Sequence, residues 1–153
     1  MSDTKAPDQV DVRGPRFAAW ITTAVLVVAL LVSGVNPQAA AVILAAQSVV
    51  FAIGAAAGPR RHPYGLVFAK LVAPRLSPVS EREPVAPLKF AQLVGLLFAA
   101  PASIGFATGA LLFGVVLTGA ALVAAFLNAA FGICLGCQLY PLVARLKPAH
   151  STS

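Results

Sequence analysis

Two stretches of nineteen residues, Phe17 to Val35 and Ala39 to Ala57, carry no charged side chain. At about 1.5 Å per residue, each stretch as a helix reaches roughly 28 Å, the thickness of a bilayer's hydrocarbon core. Phe90 to Phe106, interrupted by Pro101, and about Gly109 to Ile133 form a third and a fourth such run. Hydrocarbon offers no water to a backbone N–H or C=O, so each run must satisfy its own groups as a helix. Composition agrees: 10% of the residues are charged, against about 25% in soluble domains. The mean hydropathy is +0.87. The expectation is an all-α integral membrane four-helix bundle with one longer cytoplasmic loop, residues 58–89. The whole chain, 1–153, is read as a single membrane domain.

The charges then decide the topology. All eleven Lys and Arg residues fall in the N-terminal arm, the central loop and the C-terminal tail. The turn at Ser33 to Gln38 and the one at Gly105 to Gly109 carry none. Four spans put the three basic segments on one side, and basic loops stay in the cytoplasm. The expected location is therefore the inner (plasma) membrane, multi-pass, with both termini cytoplasmic. A cleaved signal peptide ending near Ala39-Ala40-Ala41 is the rival for the first run, which exceeds the usual apolar region of about 7–15 residues. The net charge of +6 fits orientation and anionic lipid contact better than nucleic acid, because the cations sit between apolar runs.

Between the second and third runs, six prolines from Pro59 to Pro87 forbid one long helix. Tyr64 to Ala73 reads as a helix lying flat on the membrane, with Leu66, Phe68, Leu71 and Val72 dipping into lipid. Ser77 to Leu88 reads as an extended connector, and Met1 to Arg16 as a disordered or surface-lying arm. Gly54 and Gly58 form a small-xxx-small pair that suits close helix packing.

The spans lack Asp, Glu, Lys, Arg and His, which argues against proton-coupled pumping. Gln47, Gln92 and Asn128 are the main polar side chains near them, with interhelical hydrogen bonds as their structural role. The one reactive constellation is Cys134 and Cys137, the only cysteines, at the charged end of the fourth run. C-x-x-C spacing suits a dithiol that closes to a disulfide, or half of a metal site. Inert packing is the plain alternative, since free cysteine is often buried. In the reducing cytosol a permanent disulfide is not expected.

At the C-terminal end of a continuous helix the dipole opposes a thiolate. If Gly132 or Gly136 ends the span, a new helix near Cys137 reverses that effect. Arg60, Arg61, Arg145 and Lys147 are the candidate neighbouring cations. Cys137, nearer the aqueous tail, is the favoured attacking thiol. His62 and His150 would complete a four-ligand zinc set with the cysteines, but the spacing matches no finger pattern, and no cofactor or metal is assigned.

Four segments carry a resemblance: Val10-Asp11-Val12-Arg13-Gly14-Pro15-Arg16-Phe17, His62-Pro63-Tyr64-Gly65, Pro87-Leu88-Lys89-Phe90-Ala91-Gln92, and Gly132-Ile133-Cys134-Leu135-Gly136-Cys137-Gln138-Leu139-Tyr140. On these the chain resembles domain of unknown function 4395, small actinobacterial-type membrane proteins with a C-x-G-C motif. Lys89 stands where arginine is more usual. The resemblance implies a neighbourhood of thioredoxin-like or rhodanese-like proteins, and so thiol-redox or sulfur-transfer chemistry with Cys134 and Cys137 as the reactive pair. The expected partners are membrane lipid, a cytoplasmic protein of one of those kinds, and a second copy in a homo-oligomer. A non-catalytic assembly subunit using Gly54 and Gly58, or a component of small sulfur-compound transport, are the alternatives.

Overall fold

The computed structural model describes residues 9–78 and 82–146. Strand β1 (Gln9–Asp11) leads into helices α1 (Arg13–Ser33), α2 (Pro37–Ala57) and the short α3 (Pro63–Val67). Strand β2 (Arg82–Pro84) precedes α4 (Val85–Thr108), α5 (Leu111–Phe131) and α6 (Leu135–Leu146). Helices α1, α2, α4 and α5 are long and apolar enough to cross a membrane. The fold is all-α apart from the antiparallel β1–β2 ribbon, in which Val10 faces Glu83.

The four long helices close a ring: α1 touches α2 and α5, and α4 touches the same two. Short turns join α1 to α2 and α4 to α5 at one end of the bundle. There Asn36 caps α2, its side chain accepting the Ala39 N–H at 3.1 Å, and Pro37 sets the first turn. Asparagine at such a cap stabilises a helix by about 1 kcal/mol. Packing is tight in this half. Leu26, Leu44 and Phe106 are fully buried among alanines of α1, α2 and α4. Ser103 Oγ donates to the Ala41 carbonyl at 2.7 Å, tying α4 to α2. Outward faces are apolar too, with Leu31, Val42, Leu97 and Leu112 exposed, as a lipid environment requires.

Three expectations change here. Helix α4 begins at Val85, inside the stretch expected to be an extended connector. Pro87 does not prevent this, because a first-turn residue has no intrahelical acceptor for its missing N–H. Pro101 does not interrupt α4 either. A proline ring deprives one carbonyl of its donor, and membrane helices tolerate that where neighbouring groups compensate. Third, the segment after α3 continues as a π-helical turn (Phe68–Val72) and a 3-10 turn (Ala73–Arg75). Leu66 and Leu71 are exposed, but Phe68 is buried. Its ring lies 5.7 Å from that of Phe17 and packs over Gly14. Phe68 therefore anchors the surface segment to α1 instead of entering lipid.

Within the N-terminal arm, residues 9–16 are held by polar contacts and by secondary structure. Asp11 accepts the Arg13 N–H at 3.0 Å and pairs with the Arg13 guanidinium at 2.8 Å. Arg13 also donates to the Ser77 carbonyl, and Arg60 to that of Gln9. The arm and the central loop thus meet at the end of the bundle opposite the short turns.

Candidate functional site

Helix α5 ends at Gly132, whose φ of 72° lies in the left-handed region favoured by glycine because it has no Cβ. The N–H groups of Gly132 and Ile133 fold back onto the Asn128 and Leu127 carbonyls, closing the helix end. The chain then restarts as α6 at Leu135, with Cys134 immediately before it. The expected break at Gly132 is present, and the restart comes two residues earlier than Cys137.

Cys134 and Cys137 are joined as a disulfide across the first turn of α6, with Cα atoms 5.1 Å apart. The Cys137 N–H points at Cys134 Sγ, 3.1 Å away. Cys134 Sγ therefore occupies the position of an N-cap side chain, where the helix dipole favours negative charge. The opposing end of α5 is met by a cation that charge clustering did not single out. Arg16, in the first turn of α1, donates to the Ala129 carbonyl at 3.2 Å. Its guanidinium carbon lies 4.0 Å from where a Cβ on Gly132 would sit.

Behind the pair, a cavity of about 340 Å³ occupies the charged-end half of the bundle. Alanines of α1 and α5, Phe51, Gly95 and Phe98 make it mostly apolar, and Cys134, Leu135 and Leu139 close one side. Three polar side chains line it as well: Thr22, Gln92 and Asn128. Among the described residues, no hydrogen bond engages the Thr22 hydroxyl, the Gln92 amide nitrogen or the Asn128 side chain. A second cavity of about 460 Å³ lies under the ribbon, lined by Asp11, Arg60, Arg82 and His62. Pro15, Ala18, Leu88 and Gln92 border both.

Gln92 also belongs to a polar latch. His62 is 2% exposed. Its Nδ1 accepts the Tyr64 N–H at 3.2 Å and caps α3. Nε2 must then carry the proton, which it donates to Gln92 Oε1 at 3.1 Å. Burial pushes the His62 pKa below its ordinary value, and the Gln92 bond only partly offsets this. The latch fits because residue 54 is glycine: a Cβ there would stand 2.7 Å from His62 and 2.8 Å from Gln92. Tyr64 reaches further in and donates to Gln47 Oε1 at 2.7 Å. Burial raises the Tyr64 pKa.

Several candidate roles change in consequence. Gln47 bonds from α2 to Tyr64 of the short α3, and Gln92 bonds from α4 to His62, the residue that caps α3, so neither bond joins two of the long helices. Gly54 receives His62 and Gln92 of its own chain, so its close-packing face is already filled. Both ring nitrogens of His62 are engaged within the latch, by Tyr64 and by Gln92. Among the described residues no group of three or more His, Cys, Asp or Glu side chains is placed to hold a metal ion. His150 and Lys147 lie outside the described residues.

The four segments named in the sequence converge at this end of the bundle. Arg16 reaches the end of α5, His62 reaches Gln92, and Phe90 meets Tyr140 of α6 with ring centres 5.9 Å apart. Residues 10–145 match the sequence model of a family described as "Domain of unknown function (DUF4395)". No curated protein and no solved structure matches the chain.

Proposed function

The chain belongs to the DUF4395 family, and from the geometry of its one thiol pair we propose that it exchanges disulfides at the cytoplasmic face of the membrane. The observation that carries this is the placement of Cys134 Sγ over the N-terminus of α6 with a backbone N–H directed at it. A sulfur so placed forms a stabilised thiolate and is therefore a good leaving group. Arg16 adds a cation at the end of α5 that would otherwise repel that charge.

The exchange runs in two displacements. A thiolate of a dithiol partner, of thioredoxin-like kind, attacks Cys137 Sγ. Cys134 leaves as the thiolate, and a mixed disulfide joins Cys137 to the partner. The partner's second thiolate then attacks its own sulfur in that bond and releases the Cys137 thiolate. The partner is oxidised by two electrons, and the pair ends as two thiols after taking up two protons. In the reverse direction the Cys137 thiolate attacks the partner's disulfide, and the Cys134 thiolate then attacks Cys137 Sγ to resolve the mixed disulfide. The helix N-terminus thus gives Cys134 the leaving and resolving role, and exchange with the partner falls to Cys137, the thiol nearer the tail.

The test uses the full chain in detergent with NADPH, thioredoxin reductase and thioredoxin. One NADPH consumed per chain is expected, and none for the double variant Cys134→Ser, Cys137→Ser. A native disulfide that thioredoxin leaves intact, while the unfolded chain is reduced, would remove this function.

A further inference from the structure

The geometry points to the inner cavity as a binding site for a quinone that takes electrons from the Cys134–Cys137 pair; this rests on the pair being redox-active. Volume, lining and donors all constrain the ligand. About 340 Å³ lies within the usual range of about 300–1,000 Å³ for small-molecule sites. The wall is largely alanine, leucine and phenylalanine, with no Asp, Glu, Lys, Arg or His side chain. An ionised ligand would lose its hydration there without compensation. The polar groups on the wall that have no partner among the described residues include three donors: the Thr22 hydroxyl and the amide nitrogens of Gln92 and Asn128. Donors set in an apolar wall select an apolar body that carries carbonyl acceptors.

Cys134 is part of the same wall, whereas Cys137 is not. A carbonyl compound held there and able to accept two electrons from a dithiol is a quinone. The reaction balances without a further reagent. Cys134 and Cys137 each lose a hydrogen, the S–S bond forms, and the two quinone oxygens take up two protons and two electrons to give a hydroquinone. Coupled to exchange, the net reaction oxidises a partner dithiol and reduces one quinone. The pair then faces lipid-soluble oxidant on the cavity side and a protein dithiol on the aqueous side.

The probe is decylubiquinone, whose fully substituted ring does not undergo simple thiol addition. The detergent-solubilised chain is reduced, freed of reductant and mixed anaerobically with the quinone. Two maleimide-reactive thiols should disappear per chain as one hydroquinone forms. Ala124→Phe, which fills the cavity away from the sulfurs, should abolish hydroquinone formation and leave exchange with thioredoxin intact. Asn128→Leu should slow it about tenfold, the effect of one lost hydrogen bond. Exchange with thioredoxin but no hydroquinone from the native chain overturns the quinone site alone. So does hydroquinone formation that Ala124→Phe and Asn128→Leu both leave unchanged. Hydroquinone formation without thioredoxin exchange overturns the proposed function and upholds the cavity assignment.

Discussion

At the scale of single residues, His62 shows how a loop is fixed to a membrane bundle without an ion pair. Both ring nitrogens are used, and the ring is buried, so a second proton would break the cap on Tyr64 and place a charge where water cannot reach. Its folded-state pKa is depressed below 6.5 by burial. The unfolded chain therefore binds a proton more readily, and the stability it confers is complete above pH 6.5 and declines as pH falls through the lowered value. Thermal melts of the detergent-solubilised protein should show a Tm that drops between pH 7 and pH 5. His62→Asn keeps an acceptor for the Tyr64 N–H but cannot titrate, so its melts should lose that dependence. Asp11, held below its ordinary range by Arg13, acts only at lower pH. None of this was legible beforehand, because His62 and Gln92 are 30 residues apart and histidine in a polar loop looks like a surface residue.

The elements are set by a few punctuating residues. Gly132 separates α5 from α6 and so turns Cys134 from the last residue of one helix into the cap of the next. Gly132→Ala would hold an L-residue in the left-handed region, at a cost of about 1–2 kcal/mol. The expected outcome is a lower Tm and a Cys134 thiol, measured in the Cys137→Ser background, that reacts with iodoacetamide only at higher pH. An unchanged pH profile would mean that the helix break does not govern thiol reactivity. This feature was readable in part: the glycines beside the cysteines mark a break, but not which of them makes it. The start of α4 was misplaced for a related reason. Proline reads as a helix breaker, yet Pro87 sits in a first turn where it breaks nothing. Phe68 was misassigned because an apolar residue in a surface segment reads as lipid-facing, whereas its ring is buried against Phe17 and Gly14 of the α1 end.

At the scale of the whole molecule, the basic arm, loop and α6 gather at one end, and the opposite end carries two uncharged turns. We infer that the charged end is cytoplasmic, as basic loops are retained on that side. A membrane-impermeant maleimide, applied after reduction with a permeant reductant, should label Cys134 and Cys137 in inverted vesicles and leave them unlabelled in intact cells. Labelling from outside intact cells would reverse the orientation and remove the cytoplasmic partner. The apolar runs alone determined the number of spanning helices and the grouping of charge, because hydrocarbon admits few alternatives to an uncharged helix of that length. They could not determine which side chains meet, since long-range pairs such as Arg16 with the end of α5, or Gln92 with His62, depend on how the ring closes. The tertiary structure decided those pairings and left a donor-lined apolar space beside Cys134. Its shape comes from helices brought together across more than a hundred residues of chain, and no local pattern encodes it.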